Sequence, residues 1–191
     1  MKTLMIILYL FISIKIFAPT SCEQISDRIL QKTSLTMLSN IILNEFLYAL
    51  QLQETWDEFI FPEKETPLSC VNEIGAMGLW QIMPKTLRGL GYKGSFDKFL
   101  HSESLQQEYI KKLLKTNKKY LDVYISGWRD LIDTEIHGIT ITPSGLLAAC
   151  HFAGIGGLKK FLDKGYVAKD RNASITHYLK KFGGYNFGLT I

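Results

Sequence analysis

Apolar residues along this chain recur every three or four positions much more often than every second one, and that spacing predicts helices. Leu43, Leu47 and Leu50 stack on one face of a helix from about Ile41 to Thr55, with Ser39 or Asn40 able to cap its start. Ser102 can cap a second helix from Glu103 to about Tyr120, with Leu105, Tyr109, Leu113 and Leu114 facing inward. Thr142-Pro143 offers a cap and a first-turn proline before a helix over 144–153. Gly154, Gly156 and Gly157 interrupt that helix, and it resumes over 158–162. Ser174 starts a last short helix to Phe182, ended by Gly183-Gly184. The one β-like stretch, Ile136 to Ile141, is short and alternating, as in a hairpin edge or an extended connection. The pattern predicts a mainly α fold with at most a minimal β hairpin. No internal repeat or low-complexity linker is visible, so residues 22–191 read as one domain.

The first 21 residues stand apart. Lys2 precedes an apolar run from Leu4 to Ile14, followed by Lys15 and the small or turn-forming Ala18-Pro19-Thr20-Ser21. This is the order of a secretory signal, and the run is too short to span a bilayer well. Cys22 after a small residue offers a site for a lipoprotein-type anchor, although Pro19 departs from that pattern. Export to the periplasm or cell envelope is the expectation, with membrane contact only through the signal or a lipid on Cys22.

Composition adds little electrostatics. The 191 residues carry a formal net charge of +4, two units of which come from Lys2 and Lys15. Lys111, Lys112, Lys115, Lys118 and Lys119 lie among helix-spaced apolar residues and read as a solvated face, which gives no case for nucleic acid. Cys70 and Cys150 fit either one disulfide or two buried thiols. The four histidines show no metal-ligand spacing with acids or cysteines, so no metal and no cofactor is expected.

Two features carry candidate chemistry. Glu54 continues the Leu43, Leu47, Leu50 stripe, and partial desolvation favours the protonated form of a carboxyl, as a general acid requires. A side chain at a frayed helix end simply reaches water instead. The second feature is residues 75–87, GAMGLWQIMPKTL. Its glycines allow close backbone approach, and Gln81 between bulky apolar residues is placed to hold a substrate N-acetyl or hydroxyl group, or else is a satisfied core amide. Met77 and Trp80 beside it either line or support a cleft or are plain core packing.

Residues 75–86 (GAMGLWQIMPKT) resemble the GAxGLMQIMPxT motif of the lytic transglycosylase and goose-type lysozyme-like superfamily. Residues 149–156 (ACHFAGIG) are similar to that family's AAYNAGPG motif, with His151 and Phe152 in place of the Tyr and Asn. Residues 175–179 (ITHYL) resemble the later ETxxYV segment and leave Tyr178 at its tyrosine. The blocks stand in family order and, with the helix before them, span about residues 41 to 182. The resemblance implies a lysozyme-like helical domain that cleaves the β-1,4 bond between N-acetylmuramic acid and N-acetylglucosamine in peptidoglycan. One glutamate near a helix end protonates the glycosidic oxygen, then acts as base while the muramic 6-hydroxyl closes a 1,6-anhydro ring or water attacks. Such an enzyme is expected to work as a monomer. The same fold also serves as a non-catalytic wall-binding or scaffold module.

The family writes its catalytic Glu-Ser about twelve residues before the glycine block, which by counting gives Glu63-Lys64. Pro62 before it makes a poor end for a catalytic helix. Glu54-Thr55 closes residues 46–53 (FLYALQLQ), which look like the FLxALxxRES helix of the family, with an insertion of about nine residues after it. Glu65-Thr66 is a third candidate. Glu54 is preferred on the physics, Glu63 on spacing. Gln81, Met77, Trp80, His151, Phe152 and Tyr178 are the matching substrate-side candidates.

Overall fold

The structure is a computed structural model in which residues 21–55, 67–171 and 173–185 are described. Helix α1 runs Ser21–Thr55, well before the expected start near Ile41. Ser39 and Asn40 are interior residues of this helix. A capping residue type permits a helix start without forcing one, and no glycine or proline lies between positions 21 and 55 to stop the helix. The chain divides into two units, Met1–Leu38 and Ser39–Ile191, whereas the sequence suggested 22–191 as one. In the first, residues 28–38 of α1 are exposed. The expected signal over 1–21 and the Cys22 side chain lie outside the described residues, as do Glu63 and Glu65. Among the described residues, no helix is long and apolar enough to cross a membrane.

The second unit is mainly helical. A short 3-10 turn, Pro67–Ser69, leads into the glycine block. Two short helices follow, α2 (Pro84–Gly89) and α3 (Phe96–Leu100), which the apolar spacing did not announce. Helix α4 spans Glu103–Tyr124, with the Ser102 hydroxyl accepting from the Leu105 amide. A second 3-10 turn, Trp128–Leu131, precedes a small sheet, in which β1 (Glu135–Ile136) pairs antiparallel with β2 (Ile139–Thr140). Helix α5 covers Pro143–Lys164 behind a Thr142 cap and breaks at Gly154, whose φ of 66° and ψ of 169° suit glycine alone. Helix α6, Ile175–Lys181, starts behind a Ser174 cap and ends at Phe182. Each of these three caps fills an amide that the first turn cannot satisfy internally.

Helix α5 packs against both α4 and α6, and its first half is almost wholly buried from Ser144 to Cys150. Phe46 of α1 enters the same core, edge-on to Phe182 at 5.7 Å and to Tyr185 at 5.6 Å. The inward face of α4 is Tyr109, Ile110, Leu113, Leu114 and Leu121, with Leu105 half-buried. Lys111, Lys112, Lys115 and Lys119 are exposed on the opposite face, as a solvated stripe requires, and Lys112 pairs with Glu108 at 2.6 Å. Cys70 and Cys150 are both buried and unbridged, so the two-thiol reading holds.

Candidate functional site

Glu54 is the penultimate residue of α1, held at the end of an apolar face that includes Leu47 and Leu50. The next residue, Thr55, is buried and its hydroxyl donates to the Gln51 carbonyl at 2.7 Å, tying off the last turn. Thus the helix end is not frayed, and the Glu54 side chain is only 15% exposed. Its oxygen Oε1 accepts from the Tyr178 hydroxyl at 2.6 Å, a short bond. The Nε2 atom of His151 lies 3.2 Å from the same oxygen, and that ring is 5% exposed. Phe152 stacks on the Tyr178 ring, with centroids 4.6 Å apart and planes 22° from parallel. Residues 54, 151, 152 and 178, chosen from separate stretches of sequence, therefore meet in one place.

Burial, reinforced by the Glu54 charge beside it and further by Asp170, pushes the Tyr178 phenol far above its ordinary range. Tyr178 is consequently a permanent donor rather than a group that ionises. Burial also pushes the Cys150 thiol up to about 12, which keeps it neutral and a poor nucleophile despite the adjacent histidine. The acid–base capacity of the cluster accordingly rests on Glu54, with His151 in contact. Among the described residues, no group of three or more His, Cys, Asp or Glu side chains could hold a metal ion.

The glycine block plays a different part from the one its polar centre suggested. Gly78 has φ of +74°, and a Cβ there would overlap the Gln106 carboxamide. Gln106 is buried on α4; its Oε1 accepts from the Leu79 amide at 2.7 Å, and its Nε2 donates to the Leu68 carbonyl at 2.8 Å. Met77 and Trp80 are core residues, 4% and 3% exposed, so neither lines a surface. A large apolar side chain has the hydrophobic gain of burial to collect, and both take it. Trp80 supports the site indirectly: its indole N–H donates to the Leu47 carbonyl at 2.8 Å, fastening the block to α1 about two turns before Glu54.

Gln81 makes no polar contact with Glu54. It sits at φ of +44°, its Nε2 donates to the Gly78 carbonyl at 2.8 Å, and its Oε1 is buried without a partner among the described residues. A non-glycine residue in left-handed conformation with an unpaired acceptor is a strained and unsatisfied feature, unlike the satisfied core amide.

Sequence reasoning missed the polar edge of the cluster. Gln53 Oε1 accepts from Lys181 Nζ at 2.6 Å and lies 3.1 Å from His177 Nε2. Gln53 flanks Glu54 and His177 flanks Tyr178, yet partnerships across 124 and 128 positions leave no local trace. Gln106 was missed for the same reason. A cavity of about 350 Å³ opens between β2 and the end of α6, lined by Ile139, Thr140, Thr142, Leu179 and Lys180 among others. It contains none of the candidate residues and no carboxyl or imidazole. No family model, no curated protein and no solved structure matches this chain.

Proposed function

We propose that this protein is an exported peptidoglycan-cleaving enzyme of the lytic transglycosylase kind, with Glu54 as its single general acid and base. The observation that carries the reading is the convergence of Glu54, His151, Phe152 and Tyr178, taken from three motif-like stretches, on one carboxyl at a helix end. In the first step Glu54 gives its proton to the glycosidic oxygen as the bond from that oxygen to the muramic C1 breaks. In the second, the carboxylate takes the proton of the muramic 6-hydroxyl while O6 bonds to C1, which restores the acid and releases a 1,6-anhydro end. Tyr178 holds the carboxyl in place throughout. Ordinary glycosidases use two carboxylates at a defined separation; here the substrate's own hydroxyl replaces the water that a second carboxylate would activate.

The departures at His151, Phe152 and Thr55 favour one rival, a wall-binding module without catalysis. Incubation of the protein and its Glu54→Gln variant with purified cell-wall sacculi, followed by mass spectrometry of the soluble fragments, separates them. Anhydro-muropeptides from the wild type and none from Glu54→Gln support the proposal. Reducing ends instead indicate hydrolysis, and co-sedimentation without products indicates the binding module. Undiminished activity in Glu54→Gln overturns the site and turns attention to Glu63 and Glu65.

A further inference from the structure

Resting on the reading of Glu54 as general acid, we infer that His151 is a positioning residue: a neutral Nε2–H donor that shares Oε1 of Glu54 with Tyr178 and so leaves the transferable proton on Oε2. A carboxyl oxygen offers two lone-pair directions. The Tyr178 hydroxyl fills one of those on Oε1 at 2.6 Å, and His151 Nε2 stands at 3.2 Å from the same atom. The protonation of the ring follows from its other nitrogen. Nδ1 of His151 is buried and has no partner among the described residues. A doubly protonated ring would strand an N–H there, and so would the Nδ1–H tautomer, which would also turn the Nε2 lone pair toward Oε1. The Nε2–H tautomer strands only a bare acceptor and places its one proton where an acceptor waits, so it is the cheapest of the three states.

The arrangement divides the labour between the two oxygens of Glu54. Oε1 is the fixed end, met by two donors that do not leave. Oε2 is the working end: its proton passes to the glycosidic oxygen, and the proton of the attacking hydroxyl comes back to it. Charge that develops on the carboxylate meets donors already aimed at it, so no reorganisation is needed at the moment of transfer. His151 itself neither gives nor takes a proton.

Two variants and one spectrum test this. Gln at position 151 retains an amide N–H near the place of Nε2 and cannot titrate, whereas Leu removes the donor and keeps the bulk. On soluble, uncross-linked glycan strands, His151→Leu is expected to lower kcat by roughly 10- to 100-fold with KM little changed, and His151→Gln to restore most of the loss. In the ¹⁵N spectrum of histidine-labelled wild-type protein at the assay pH, His151 is expected to be protonated at Nε2 and bare at Nδ1. Equal losses in both variants, or an Nδ1–H or doubly protonated ring, overturn the inference. Wild-type protein that yields no product overturns the general-acid reading together with this role. An active wild type matched by an equally active His151→Leu variant removes the role alone.

Discussion

Replacing Tyr178 by Phe removes one hydroxyl from the site and leaves the rest in place. The ring keeps its stacking on Phe152 at 4.6 Å and its tilted contact with Phe182 at 5.5 Å, so no cavity larger than the hydroxyl opens. What disappears is a 2.6 Å bond to a carboxyl that is 15% exposed. A hydrogen bond contributes about 0.5–1.5 kcal/mol, and about 1.5–3 kcal/mol where one partner is charged. Water reaching the exposed part of Glu54 offsets some of that, so the expected loss is about 1–2 kcal/mol. In a domain of this size it lowers Tm by roughly 2–8 °C. A double-mutant cycle with Glu54→Ala, followed by denaturant unfolding, isolates the pair, and a coupling near 1.5 kcal/mol is expected. The same change is expected to lower kcat by about 10- to 100-fold with little change in KM, since the positioned carboxyl matters more in the transition state than in binding. A coupling below about 0.5 kcal/mol refutes the bond as a stabilising contact. Unchanged kcat refutes its role in placing the acid.

Two further outcomes rest on local geometry. Gly78→Ala meets both a left-handed backbone and the Gln106 carboxamide. The expected cost is about 2–5 kcal/mol, from strain plus the Leu79 amide left unpaired. Gly75→Ala has the same backbone hand with open space, and equal losses for the two in urea unfolding would count against the packing argument. Asp122 accepts from the Trp128 indole and pairs with Arg129, which together hold its carboxyl below the usual range. A depressed carboxyl adds stability above its ordinary range and loses it as pH falls through the folded value. The wild type is therefore expected to exceed Asp122→Asn in Tm at neutral pH and to converge with it in acid. A gap that persists below the carboxylate range would contradict this.

Several features set by neighbours within one turn were readable in the chain. Ser102, Thr142 and Ser174 cap helices because a side-chain oxygen and an amide three residues on decide the matter locally. The glycine break at 154 and the hairpin near Ile136 are equally local. Glu54 was preferred because Pro62 makes a poor helix end before Glu63, and its meeting with Tyr178 and His151 gives that choice a physical setting. Local logic failed where something distant decides. Ser39 had every qualification to cap a helix, but nothing before it breaks α1. Trp80 and Met77 look like cleft residues beside Gln81, yet the core behind them claims both. Gln106 looks like any surface amide of α4 until Gly78 lies against it.

The Glu54–Tyr178 bond joins residues 124 positions apart, and its neighbours come from α5 and α6. Bringing such ends together costs chain entropy that rises slowly with loop length, and nothing repays it until the intervening helices have docked. The site is thus expected to assemble late in folding, after the caps and helical turns that are complete within a few residues. On refolding, helical signal is expected to return before the Glu54–Tyr178 contact forms. Detachment of α6 would remove Tyr178 from Glu54 even with α4 and α5 still packed together. On the proposed function, activity would therefore report the docking of α6 onto the rest of the second unit, and a copy without that contact would lack a positioned acid.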